Sequence, residues 1–110
     1  MRVHLIKRQT VLEFAVNNVR SRLPLQNWLI KLQYADWKTA ADISKTFSRA
    51  DKLGHGSNRV VFDIGGNNFR LIGKYQFGAK EVHLFVCWIG THVNYDRLCK
   101  SGRQYTISDY

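Results

Sequence analysis

The sequence predicts an α+β fold: a small, mainly antiparallel sheet packed on an N-terminal helical hairpin, in the order β-α-α-β-β-β with a short C-terminal helix or turn. Three observations predict it. Apolar residues recur at helical intervals between residues 11 and 37, and the only proline, Pro24, divides them. Three apolar runs of strand character follow between residues 59 and 89, separated by glycine-bearing turns. With 110 residues, 45% of them hydrophobic, the chain has the size of one domain, residues 1–110, and enough apolar surface to bury a core.

The elements follow in order. Residues 2–6, RVHLI, alternate as a short first strand does. Thr10 stands three residues before Glu13, a capping-box spacing. Leu12, Ala15, Val16, Val19 and Leu23 come next at helical intervals, so a first helix is expected over residues 11–22. Pro24 ends it and suits the first turn of a second helix, where its missing N–H costs nothing. Leu25, Trp28, Leu29, Leu32 and Ala35 form the second apolar stripe, ending near Trp37, and the tight Leu-Pro joint predicts a hairpin. Thr39 to Asp42 can start a short third helix with Ile43 and Phe47 as its buried side. Residues 48–58 are polar with two glycines and read as a mobile loop carrying Arg49 and Lys52.

In the second half, residues 59–64 place Val60, Phe62 and Ile64 on one strand face. Gly65, Gly66 and Asn67 tolerate the positive φ of a tight hairpin. Residues 68–77 place Phe69, Leu71, Tyr75 and Phe77 on one face, and Asn68, Arg70, Ile72, Lys74 and Gln76 on the other. Residues 82–89, VHLFVCWI, are apolar on nearly both faces and belong inside the sheet. Thr91 is a good N-cap for a short final helix that sets His92, Tyr95 and Asp96 on one side. The tail, GRQYTISDY, can add an edge strand or stay unattached.

Charge is the dominant bulk signal. Seventeen Lys and Arg against eight Asp and Glu give a net +9, which points to a polyanionic partner, with nucleic acid first and an acidic protein second. No apolar run approaches the roughly 20 residues that span a bilayer. The opening MRVHLIKRQ is too short for a signal-peptide apolar region, so neither export nor a membrane is expected. Cys87 and Cys99 form no disulfide framework, and a reducing compartment, the cytoplasm, is expected.

Helices on one face of the sheet leave the other as a basic, partly open concavity. Arg70 and Lys74 stand on it, about 13 Å apart at ~3.3 Å per residue. Arginine offers a planar fork for phosphate and lysine a point charge. His92 follows the neighbouring strand, with Tyr95 one turn on. RNA cleavage needs a group to take the 2′-hydroxyl proton, cations to steady charge on phosphorus, and a donor for the leaving 5′-oxygen. These residue types can supply all three. Each also has a plainer reading: a solvated strand cation, a hydrogen-bonding histidine, a packed tyrosine. His4, His55 and His83 share no spacing and the cysteines add none, so no zinc site is expected. A P-loop, a dinucleotide fingerprint and a nucleophile elbow are all lacking.

Residues 60–77, VVFDIGGNNFRLIGKYQF, together with GTHVNYDRL at 90–98 and the Trp-rich NWLIKLQYADWKTAADISKTFSRAD at 27–51, resemble the HigB toxin family, a branch of the RelE-like mRNA interferases. The resemblance spans about residues 1–98. It implies a RelE-like fold and a toxin of a type II toxin–antitoxin pair. It also implies an endoribonuclease that cuts mRNA, in many relatives on the ribosome, by 2′-hydroxyl attack without a metal or other cofactor. The implied partner is an antitoxin with a helix-turn-helix domain, through which alone operator DNA is contacted. By position, Asn67 and Arg70 fall on the glycine–glycine–asparagine–x–x–arginine motif, and His92, Tyr95 and Asp96 on Thr-His-x-x-Tyr-Asp. The expected catalytic set is Arg70, Lys74, His92 and Tyr95, with Asn67, Asn68, Arg59 and Lys52 as RNA contacts. Asp63 departs from the family, where asparagine is usual, and Tyr105 lies in a tail without a counterpart. The alternative is a non-catalytic basic RNA- or ribosome-binding module, or an inactivated toxin serving as its antitoxin's co-repressor.

Overall fold

A computed structural model describes residues 1–110. A five-stranded sheet runs in the order β1-β5-β4-β3-β2, with β1 (Arg2–Ile6), β2 (Asp51–Lys52), β3 (Arg59–Ile64), β4 (Phe69–Phe77) and β5 (Glu81–Thr91). All neighbours are antiparallel except β1, which pairs parallel to β5. The α+β class and the inner position of β5 are as the sequence predicts. The 48–58 stretch differs from the expected mobile loop. Asp51 and Lys52 pair with Val61 and Val60, and Leu53 N–H donates to the Arg59 carbonyl at 2.9 Å.

The helices are α1 (Arg8–Asn17), α2 (Arg22–Gln33), α3 (Ala41–Thr46) and α4 (His92–Lys100). Helix α1 begins and ends earlier than expected. Lys7 starts it in the left-handed region (φ 68°), and no side chain caps it, so the Thr10–Glu13 box is not made. Asn18 closes it, its Nδ2 donating to the Phe14 carbonyl at 3.0 Å. A single 3-10 turn, Val19–Ser21, then leads into α2, with Pro24 in the first turn as predicted. Helix α2 stops at Gln33. Ala35 and Trp37 are buried without being helical: Trp37 N–H bonds the Met1 carbonyl at 3.0 Å, and its indole donates to Thr46 Oγ1 at 2.9 Å.

The core lies between these helices and one sheet face. Val11, Leu25, Trp28, Leu32 and Ile43 meet Phe62, Leu71, Leu84 and Val86 there. The stripe assigned to the first helix is mostly turned outward. Val16, Val19 and Leu23 are each about two-thirds exposed, and Val11, Phe14 and Ala15 face the core instead. The helix carries two apolar faces, and periodicity alone does not say which one packs.

The opposite sheet face is the larger correction. Its centre is not open. Val61, Ile72, Cys87 and Trp88 are covered by Leu98 of α4 and by Ile107 of the tail, with Leu53 and Tyr95 packed at the margin. The tail therefore folds back over the sheet, through a 3-10 turn at Arg103–Tyr105, and Asp109 N–H bonds the Cys87 carbonyl at 3.0 Å. No helix is long and apolar enough to cross a membrane.

Candidate functional site

The covered centre divides the outer face into two ends. At one end β3 and β4 close their hairpin through Gly65 and Gly66, both at positive φ as the turn requires. Asp63 and Arg70 stand directly opposite each other, and Arg70 is directly opposite Gly90 of β5. The Arg70 guanidinium is held on three sides. Nε pairs with Asp63 at 3.1 Å, Nη1 donates to its neighbour's carbonyl at Phe69 (3.0 Å), and Nη2 donates to Asn67 Oδ1. Asp63 also takes Arg49 Nε at 3.4 Å. The aspartate at position 63 thus has a structural consequence: a carboxylate neutralises and aims the arginine. Arg49, whose loop placement gave no signal of this, belongs to the same cluster.

The β5-to-α4 junction joins this end. Thr91 caps α4, its Oγ1 accepting from Asn94 N–H at 3.2 Å, as predicted. His92 N–H donates to the Asn68 carbonyl at 3.0 Å, which ties the hairpin turn to the start of α4. His92 Nδ1 lies 3.3 Å from Asp96 Oδ2, one turn on. A carboxylate at Nδ1 fixes the tautomer that leaves Nε2 free to move a proton. Tyr95 packs at a tilt against Trp88, ring centroids 6.1 Å apart. Burial first, and then the Cys99 thiol, push its phenol well above the ordinary tyrosine range, so the ring is a hydrogen-bond donor at any working pH.

Trp88 and Gly90 escaped the sequence reading. A Cβ on Gly90 would lie 2.6 Å from Trp88 Cζ2, so the indole lies across this glycine and next to the strand position facing Arg70. A bulky aromatic two residues before a glycine in one strand was the available signal.

The other expected residues are elsewhere. Lys74 is exposed at the far end of the same face, opposite Arg59 and Phe85, with Ile72 and its tail cover between it and Arg70. Arg59, expected as an RNA contact, is 7% exposed, and its Nη1 donates to the Ile107 carbonyl at 2.6 Å and the Gln104 carbonyl at 3.2 Å. Its guanidinium anchors the tail and has little surface left for a ligand. Asn67, Asn68 and Lys52 are exposed, the first two in the hairpin turn beside Arg70 and Lys52 on the two-residue edge strand β2. Parallel pairing of β1 with β5 also sets His4 beside His83, ring centroids 6.0 Å apart, away from the Arg70 end. No three His, Cys, Asp or Glu side chains converge as a metal site needs.

The family model for HigB toxins, described as the RelE-like toxic component of a toxin–antitoxin system, matches residues 21–98. The chain belongs to this family. The matched span holds the hairpin, Asp63, Arg70 and the His92–Asp96 pair, and ends before the tail. The toxin is also 28% identical over 102 residues to the mRNA interferase HigB of Escherichia coli O6:H1 (strain CFT073), covering 93% of this chain and 97% of that one. As a toxin of such a system it has a cognate antitoxin as its partner.

Proposed function

We propose that the toxin is a metal-independent RNA endonuclease acting on mRNA in the cytoplasm, in association with the ribosome. The observation that supports this reading is that Arg70 and His92, each beside its own carboxylate, lie at the same end of the sheet, where His92 N–H bonds the Asn68 carbonyl of the hairpin turn. In the cut we infer, the 2′-hydroxyl oxygen attacks the adjacent phosphorus and the 5′-oxygen leaves. A cyclic phosphate and a 5′-hydroxyl result. His92 Nε2 takes or returns the proton, the Asp96 carboxylate steadies the imidazolium, and Arg70 balances charge on the phosphoryl oxygens. Tyr95, protonated and half-buried, orients the substrate or donates to it. Lys74 assists from a phosphate further along the strand. The antitoxin carries a helix-turn-helix domain and supplies the only route to operator DNA.

A second reading keeps RNA binding without cleavage, and one observation favours it: Asp63 already occupies the arginine that would meet the phosphate. Primer extension on transcripts after induction, with and without translation, separates the two. Cut transcripts, lost in Arg70→Ala and His92→Ala, support the nuclease. Uncut transcripts bound by the wild type support the binder, and full cleavage by both variants refutes the site.

A further inference from the structure

The far end of the outer face is a cleft of about 590 Å³ between the β3–β4–β5 surface and the returning tail. Lys7, Arg59 and Lys74 line it, with Asn58, Phe85 and Tyr110. Four independent features mark it. Arg59 and Lys74 sit directly opposite each other across two strands, an arrangement of like charges that costs stability. None of the three cations makes a salt bridge, and no Asp or Glu lines the cleft. Of the chain's three non-glycine residues at positive φ, two, Lys7 and Asn58, are in its wall. Such backbone is costly and collects where a structure holds groups for a ligand. Cys87, in the same wall, is skipped within the paired stretch of β5, since Ile72 pairs with Trp88 and Gly73 with Val86. An extra residue of this kind bends its own strand and re-aims the side chains beside it.

Uncompensated cations beside aromatic rings are what a single-stranded nucleic acid requires: charge for the backbone and a flat face for a base. We propose that this cleft is a second RNA subsite, holding a nucleotide further along the strand from the one at Arg70. Lys7 and Lys74 take its phosphate, Phe85 and Tyr110 flank its base, and the Arg59-anchored tail forms one wall. This rests on the RNA reading above. It gives Lys74 a different phosphate from Arg70, since about 13 Å of strand and the Ile72–Ile107 contact lie between them. It also gives the tail, which lies beyond the family-matched residues, a role in choosing which RNA is held.

The test uses the full chain and 2′-O-methylated oligoribonucleotides, which lack the attacking hydroxyl. A trinucleotide reaches the Arg70 end alone and a hexanucleotide reaches both. Lys7→Gly keeps the left-handed backbone, and Lys74→Gln is a surface change, so neither endangers the fold. Each should weaken hexanucleotide binding about tenfold, and Lys7→Gly should leave trinucleotide binding within about twofold. The log–log salt slope should become shallower by about 0.7 for Lys74→Gln. Lys74→Arg should restore both, and Tyr110→Ala should weaken the hexanucleotide about fivefold or more. If the hexanucleotide binds wild type, is weakened by Arg70→Ala, and is indifferent to all three cleft variants, the subsite is refuted and the nuclease reading stands. If wild type binds neither oligonucleotide, the subsite is refuted, and primer extension decides the nuclease reading separately.

Discussion

Replacing Asp63 by asparagine should make the toxin bind RNA more tightly and fold less stably. Asparagine keeps an acceptor oxygen for Arg70 Nε, now at 3.1 Å, so the geometry is retained while the charge is removed. Arg70 stays tethered through the Phe69 carbonyl and Asn67. A phosphate on the far side of the guanidinium would lie about 6 Å from the Asp63 carboxylate. At that distance the repulsion is about 0.7 kcal/mol in bulk water and about 3 kcal/mol at an effective dielectric of ~20. The Asp63 side chain is 19% exposed, which places it nearer the aqueous limit than a sealed interior would, and about 1 kcal/mol is a fair working value. That is roughly fivefold in Kd. The gain should shrink as salt rises, because screening acts over about 10 Å at 0.1 M. Stability moves the other way, since the lost pairing with Arg70 and Arg49 costs about 1 kcal/mol, or some 4 °C in Tm. Fluorescence anisotropy with a 2′-O-methylated oligonucleotide at two salt concentrations, beside a thermal melt, measures both. Unchanged or weaker RNA binding in a variant with the expected Tm loss would refute the claim that Asp63 restrains Arg70.

Three further outcomes follow from the packing. Gly90→Ala should cost about 2 kcal/mol or more and shift tryptophan fluorescence, because the new methyl meets the Trp88 ring at 2.6 Å; a melt and an emission spectrum check it. Arg59→Met keeps the stem but strips the donor from the Ile107 and Gln104 carbonyls, so about 1–3 kcal/mol should be lost, with faster hydrogen exchange at Ile107 and Asp109. Asp42→Asn should lower Tm at neutral pH. The Asp42 carboxylate accepts from Lys38 N–H (2.7 Å) and Thr39 N–H (3.1 Å), which holds its pKa down from 3.8 to about 2. A depressed pKa means the stabilisation is complete above pH 4 and lost as pH falls through about 2, so wild type and variant should converge there in melts across pH.

The strands and turns were legible because their signals are local. Alternation over residues 59–64 and 69–77, broken by two glycines at positive φ, specifies a hairpin whatever surrounds it. Thr91 as a cap and His92 beside Asp96 follow from spacing alone. The errors sit where a distant partner decides. Trp37 looks like the end of a helical stripe, yet Met1 and Thr46 hold it in an extended link. Val16, Val19 and Leu23 look like core, and the sheet packs on the adjacent face instead.

The outer face, too, is decided by a distant partner. Alternation put Arg70, Ile72 and Lys74 on one face, and a single cleft floored by two cations was the natural conclusion. The isoleucine between them was the contrary signal. An apolar side chain at the centre of an exposed face costs about 1.5–3 kcal/mol to leave in water relative to burial, so something had to cover it. The cover is Leu98 together with Ile107, and Arg59 helps to hold the tail there by donating to the Ile107 carbonyl. Leu98 and the Arg59-anchored Ile107 together divide the basic face into two separated stations. A polar residue at position 72 would remove the need for a cover, but about 13 Å of strand between the two cations would remain. With isoleucine and its cover there, Arg70 and Lys74 would meet one RNA only through different phosphates, as the proposed second subsite requires.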